Sequence, residues 1–249
     1  MAMKRTLTAL ILLIMTACTT TSGPAAYPSD TLTTATGDTL KITFFAHASL
    51  ALDFAGRHIY VDPVSGNADY ARLPKADLIL LTHAHYDHLD TAAVAVLGKP
   101  DTRIIQTREC FDLLGCGEVM RAGDTLSVGY ADIQAVAAYN TTVGRTDFHP
   151  KGRDNGYVLT LGGTRVYIAG DSEPTPEMLA LKNIDIAFLP VNQPYTMTEE
   201  QAAMVVQTLE PKIFYPYHYG QVEQATDMAR LEMLVDEIPS VEIRIRPME

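Results

Sequence analysis

The sequence predicts an α/β sandwich, with two mixed β-sheets packed face to face and helices on the outside. Three observations predict it. Beyond residue 39 the chain is first dense in short strands separated by turn residues. It then alternates strands with helices, and no internal repeat or low-complexity tract interrupts the body. Sheets bury a face and helices bury a stripe, so this order is satisfied by stacking them in layers.

The elements follow in order. Residues 40–45, 50–54 and 58–61 read as strands, the last two joined through Ala55, Gly56 and Arg57 as a hairpin. Residues 77–81 (DLILL) are an unbroken apolar run, the pattern of a strand covered on both faces. Asp90 caps a helix over 91–97, and Ile104 and Ile105 mark a further strand. Residues 125–128 and 133–138 are strands turning near Gly129, and 157–161 and 165–169 flank the Gly162-Gly163 hairpin signal. Residues 184–189 form a strand. Thr198 opens the next helix, with Gln201 three residues on completing a capping box. Ala202, Val205, Val206 and Leu209 share its apolar face, and Pro211 stops it. A strand at 213–215, a helix faced by Met228, Leu231, Val235 and Ile238, and a closing strand at 241–245 complete the body.

With 249 residues, 47% of them hydrophobic, the chain is long enough for one large domain or two small ones with a real core. Lys and Arg number 19 against 30 Asp and Glu, a net charge of -11. That excess of acid excludes a dominant nucleic-acid-binding role, because phosphate backbones are bound by excess Lys and Arg. It also disfavours a basic membrane-surface role. Three cysteines are too few for a disulfide scaffold. Cys110 and Cys116 either pair in an oxidising compartment or serve as small buried apolar residues, and the sequence leaves both readings open.

The N-terminus reads as a targeting segment. Lys4 and Arg5 precede the apolar stretch 7–15, which is too short to span a bilayer as a helix. Thr16 and Ala17 before Cys18 resemble a bacterial lipobox. The resemblance implies cleavage after residue 17, lipid attachment at Cys18, and export to the periplasmic or extracellular face of the cell envelope; the alternative is plain secretion. Cleavage would remove two basic residues and no acidic ones, deepening the charge from -11 to -13. Residues 18–38, rich in Thr, Ser, Pro, Gly and Ala, read as a flexible tether, so the folded domain is expected over 39–249.

The chemistry concentrates in histidines. The chain has seven, and His83, His85 and His88 fall within THAHYDHLD, directly after the apolar strand and before the helix at 91–97. Strand C-terminal ends are where α/β folds place ligands. His83 and His85, two apart on extended backbone, point the same way, and the turn into the helix brings Asp87 and His88 to a neighbouring point. Imidazole nitrogens and carboxylate oxygens suit zinc, and also iron or manganese. Two ligand pairs a short step apart imply two divalent ions. Asp171, past the strand RVYIA, has two oxygens with which to bridge them, and His218 follows the strand IFY.

The H-x-H-x-D-H signature, the later Gly170-Asp171 and the late His218 resemble the metallo-β-lactamase superfamily, over about residues 40–246. The opening FFAHASLALDFAGRHIYVDPV is similar to the branch that includes ascorbate-phosphate lactonase-like and N-acyl-phosphatidylethanolamine phospholipase-like proteins, with Ala46 in place of the usual Gly before His47. The resemblance implies an αββα sandwich with a dinuclear site at one edge. His83 and His85 match first-metal ligands, Asp87, His88 and His218 match second-metal ligands, and Asp171 matches the bridging carboxylate. The family's third histidine for the first metal is missing at its usual place, where Asn140 stands. His149, nine residues on, is favoured as that ligand, which makes Asn140 either a residue supporting the site from behind or a substrate contact; the alternative is a mononuclear or remodelled site. His47 is expected near the metals or the substrate, and Asp62 is expected to orient a ligand histidine or hold its turn.

The implied activity is hydrolysis of an ester, lactone or phosphodiester of a small substrate by metal-bound hydroxide, with Asp87 and Asp171 orienting that hydroxide. Lys151, Arg153, Tyr195 and Tyr217 are candidate substrate contacts, the first two suited to an anionic group. The rival readings are an iron-binding redox protein or a non-catalytic metal-binding lipoprotein of the same fold. No flavin or dinucleotide fingerprint accompanies a redox role. Neither the substrate nor the oligomeric state is legible in the sequence.

Overall fold

In the computed structural model the described residues are 27–220 and 225–248, so the expected signal peptide and the lipid attachment at Cys18 lie outside them. Two seven-stranded sheets form the body. The first contains, in spatial order, β1 (Ser29–Thr33), β2 (Thr39–Phe44), β3 (Leu50–Phe54), β4 (Arg57–Val61), β5 (Leu78–Leu80), β6 (Arg103–Gln106) and β7 (Glu118–Val119). The second contains β8 (Thr125–Ser127), β9 (Asp132–Ala138), β10 (Asp154–Leu161), β11 (Thr164–Ile168), β12 (Ile186–Pro190), β13 (Ile213–Tyr217) and β14 (Glu242–Ile243). Each sheet starts antiparallel, through β1–β4 and β8–β11, and continues parallel.

The helices sit mainly in the parallel halves, because parallel neighbours need a crossover. α1 (Thr91–Leu97) and α2 (Arg108–Leu114) follow β5 and β6; α3 (Pro176–Leu179), α4 (Glu199–Leu209) and α5 (Met228–Asp236) follow β11, β12 and β13. The expected caps form: Asp90 accepts from the amides of Ala92 and Ala93, and Thr198 and Gln201 make the reciprocal capping box of α4.

Strand alternation builds the layers. Leu40, Ile42, Phe44 and Leu52 meet Tyr157, Leu159, Phe188 and Tyr215 between the sheets. Tyr167, Ala187 and Leu189 point outward beneath Val205, Val206, Leu231 and Val235 of α4 and α5. Tyr60 and Ile79 do the same beneath Val94 and Leu97 of α1. This explains the unbroken apolar runs of β5 and β12, which are buried on both faces.

The structure corrects the expected domain boundary. Residues 29–33, assigned from composition to the tether, form edge strand β1, paired along its length with β2. A polar edge strand needs apolar residues only on one face, and Leu32 supplies one. Asp30 is gripped from the far end of the chain by the guanidinium of Arg246, at 2.8 and 3.0 Å. Helix α2 was also not legible. Thr107 caps it and Gly115 ends it with a left-handed backbone, but Cys110 is its one buried side chain, so it shows no apolar stripe. Cys110 and Cys116 are both free, the first buried and the second exposed. Among the described residues no helix is long and apolar enough to cross a membrane.

Candidate metal centre

The parallel strands deliver the chemistry to one edge. Asp62 follows β4, Thr82 and His83 follow β5, Gly170 and Asp171 follow β11, Asn192 follows β12, and His218 follows β13. Several of these residues leave their strands through left-handed backbone, with φ of 43° at Asp62, 50° at His218 and 58° at His47 in the β2–β3 turn. Asp and His tolerate that region better than most residues, and such outliers cluster at functional sites. Gly170, at φ 64°, is required: a Cβ there would lie 2.9 Å from the carbonyl of Asn155.

Two donor groups result. His83, His85, His149 and Asp171 form one, and His47, Asp87, His88 and His218 the other, with the donor atoms of each within 4.8 Å of one another. Asp171 touches both: Oδ2 lies 3.5 Å from His149 Nε2 and 3.1 Å from His218 Nε2, and Oδ1 lies 3.3 Å from His88 Nε2. His47 Nε2 lies 3.0 Å from Asp87 Oδ2.

The imidazoles are oriented from behind. His88 Nδ1 donates to Asp62 at 2.9 Å, and His149 Nδ1 to Asp154 at 3.2 Å. The Thr82 hydroxyl donates to Asp62 at 2.6 Å and so is free to accept from His83 Nδ1 at 2.9 Å. Asn192 Nδ2 lies 2.9 Å from His218 Nδ1 while its Oδ1 is buried without a partner, so turning that amide over lets Oδ1 accept from Nδ1 and frees Nε2 as a ligand. In each case Nε2 is turned toward the other donors, the usual support of a metal-ligating histidine. His85 differs, presenting Nδ1 to His83 Nε2 at 3.1 Å.

Charge is concentrated here. Burial pulls the pKa of His88 down, but the carboxylates of Asp171 and Asp62 outweigh it and hold that imidazole well above its usual range. For His218 burial is likewise outweighed, chiefly by Asp171, and its pKa rises to about 8. Burial would raise Asp171, but His218 and His88 hold it well below the ordinary carboxylate range. Burial, with His88 next in weight, drives His83 well below its usual value. The Nε2 atoms of His88 and His218 and Oδ1 of Asp171 are buried and make no hydrogen bond. Buried polar atoms rarely lack partners, and a cation among these lone pairs would satisfy them. The donor set therefore fits divalent metal.

Of the expected ligands, the structure brings His83, His85, Asp87, His88, His149, Asp171 and His218 together. It brings His149 rather than Asn140 to the first group; Asn140 Nδ2 donates to the carbonyls of Tyr195 and Arg145 and braces the loop. Beside the donors opens a cleft of about 1240 Å³ whose lining includes His47, Tyr86, Phe148 and Tyr195. Tyr217, expected at the substrate, is instead buried in the inter-sheet core, because its strand runs two residues further than the apolar run suggested. Lys151 is also elsewhere: its ammonium lies 3.2 Å from Glu177 and 3.1 Å from the Tyr139 hydroxyl. Arg153 forks onto Asp154 at 2.7 and 2.8 Å. The orienting residues Thr82, Asp154 and Asn192 were not foreseen. Asn192 carried a usable signal, since it sits just past a parallel strand as Asp62, Asp171 and His218 do.

This layering and this donor set are those of the metallo-β-lactamase fold. The beta-lactamase superfamily domain matches residues 41–218, and the chain belongs to that family. Within it the chain is similar to proteins named as metal-dependent hydrolases. A UPF0173 metal-dependent hydrolase of Ligilactobacillus salivarius is 31% identical over 191 residues, covering 73% of this chain and 85% of that protein. Another, of Pelotomaculum thermopropionicum, is 28% identical over 225 residues, covering 83% and 96%. A crystal structure from Parabacteroides distasonis, assigned to the metal-dependent hydrolases, is 50% identical with a TM-score of 0.85, over 90% of this chain and 100% of that one. The protein is a metal-dependent hydrolase of this fold.

Proposed function

We propose that the protein cleaves an ester, lactone or phosphodiester bond of a small molecule, using two divalent cations, zinc foremost with manganese or iron as substitutes. The observation that carries this reading is the position of Asp171, within 3.5 Å of histidines from both donor groups. Bound cations of this kind lower the pKa of water toward neutrality and stabilise charge developing on oxygen.

The chain's own residues do the rest. Asp171 faces both groups, and Asp87, tied to His47 and 27% exposed, faces the cleft; together they orient the attacking water. Asp62, Thr82, Asp154 and Asn192 hold the imidazoles in register, so little reorganisation is needed during reaction. His47 and Tyr195 border the space beside the bond to be cleaved. We place the protein at the bacterial cell envelope, tethered through a lipid on Cys18; Cys18→Ser should release it from the membrane fraction.

The test is hydrolysis of a 4-nitrophenyl ester, a lactone and bis(4-nitrophenyl) phosphate by protein with and without chelator, with metal content measured alongside. His83→Ala should lose both metal and turnover. Retained hydrolysis without bound metal contradicts the proposal, and oxygen-dependent chemistry with bound iron favours the redox reading instead.

A further inference from the structure

We infer that the substrate of this site is an uncharged carboxylic ester or lactone, carrying an alkyl or aryl group rather than an anionic one beside the scissile bond. The inference deepens the hydrolase reading above and rests on it.

The cleft wall carries the argument. Beyond the donor groups its larger side chains are Val64, Tyr86, Phe148, Tyr195 and Tyr219, with the uncharged amides of Asn67 and Asn192 as the polar part of the wall. Phe148 and Tyr195 pack edge to face with centroids 4.9 Å apart, an apolar shelf close to the metal groups. Among the described residues no Lys or Arg lines the cleft.

The cations on the neighbouring loop are each paired with groups of the protein and do not line the cleft. Arg153 places Nε and Nη2 on the two oxygens of Asp154, and Nη2 also donates to the carbonyl of Phe148 at 2.9 Å and to Nε2 of the cleft residue His85 at 3.1 Å, so its guanidinium is spent on protein groups at the back of the site. It thereby fixes the carboxylate that orients His149. Arg145 pairs with Glu173 at 3.4 Å, and Lys151 with Glu177 at 3.2 Å. The net charge of -11 adds long-range repulsion of anions.

The donor groups serve the bond that is cleaved, so a carboxylate or phosphate flank lying against the wall away from them is left to an Arg fork or a Lys for recognition. Without one, desolvating the anion against this wall is unfavourable. An alkyl or aryl flank gains from the same contact. The reaction balances as water plus ester: the water oxygen bonds to the acyl carbon, the bond to the alcohol oxygen breaks, and the alcohol leaves with a proton. No electron transfer is involved.

The test compares two esters of one leaving group and nearly one shape, 4-nitrophenyl butyrate and 4-nitrophenyl hemisuccinate, with bis(4-nitrophenyl) phosphate as a third arm, on metal-replete protein. The expected result is a kcat/KM for the butyrate at least ten-fold above that for either anion. Phe148→Ala should raise KM for the butyrate several-fold while changing the hemisuccinate little. Val64→Lys, which adds a cation to the wall, should narrow the preference by about ten-fold, an effect a packing role alone would not give. Calorimetric binding of N-phenylbutyramide, not itself an ester, should exceed that of succinanilic acid and weaken in Phe148→Ala. Equal or faster turnover of an anionic ester overturns the substrate class alone. Turnover of none of the three overturns the underlying hydrolase reading, and the calorimetry still decides the cleft: tighter binding of the acid overturns the inference.

Discussion

His88 donates to Asp62 at 2.9 Å with both side chains fully buried. The same carboxylate accepts from the Thr82 amide at 2.8 Å and from the Thr82 hydroxyl. One residue therefore sets the tautomer of a ligand from the second donor group and, through Thr82, of His83 in the first. Asp62→Ala should weaken metal binding about 10- to 100-fold, the usual effect of losing such support. It should also destabilise the fold by about 1–3 kcal/mol, because buried donors are left unmet. Metal titration by calorimetry and chemical denaturation check the two effects separately.

Gly170 precedes the shared carboxylate. A methyl group there would meet the carbonyl of Asn155 at 2.9 Å and Thr82 Cβ at 3.1 Å, in a backbone conformation that side chains resist. Gly170→Ala should cost about 1–3 kcal/mol and displace Asp171. Denaturation midpoints and metal stoichiometry on the same preparation will show whether stability and binding fall together.

Asp30 ties the first strand to the last segment of the chain. Its oxygens face Arg246 and Arg244, and the Tyr215 hydroxyl donates to it. Asp30→Ala should lower stability by about 1–3 kcal/mol while leaving the donor groups intact. A melting curve beside a metal titration distinguishes this from damage at the site.

Chelator-treated protein should show a pH dependence set by His218 and His88. The pKa of His218 rises from 6.5 to about 8 in the fold, so its contribution is fully present below pH 6.5 and is lost as pH climbs through about 8. His88, also raised, extends the loss to higher pH. Asp171 and Asp87 are depressed and contribute above about pH 3.8, losing that contribution on acidification. Urea melts between pH 6.5 and 9 should therefore show stability falling by about 2 kcal/mol from His218. Metal affinity should rise over the same interval, because the ligand imidazoles must shed their protons to bind. Stability that rises across this range would count against the carboxylate–imidazole pairing.

What was legible in the sequence follows from local chemistry. His83, His85, Asp87 and His88 lie in one short stretch, so their spacing alone told of a shared target. The buried strands β5 and β12 announced themselves as apolar runs, and α4 by its capping box. What stayed hidden depends on partners distant in the chain. Strand β1 looked like tether because the residues that hold Asp30, Tyr215, Arg244 and Arg246, come 185 to 216 positions later. Lys151 and Arg153 looked available to an anion, but Glu177 and Asp154 claim them. Tyr217 looked like a strand-end residue, yet the extra length of β13 carries it into the core.

The account turns on two cations sharing Asp171. Anomalous diffraction at the zinc edge from crystals of metal-replete protein tests it most directly. The predicted result is two peaks, one among His83, His85 and His149 and one among Asp87, His88 and His218, with the Asp171 carboxylate between them. A map with a single peak, or with none in these groups, contradicts the account.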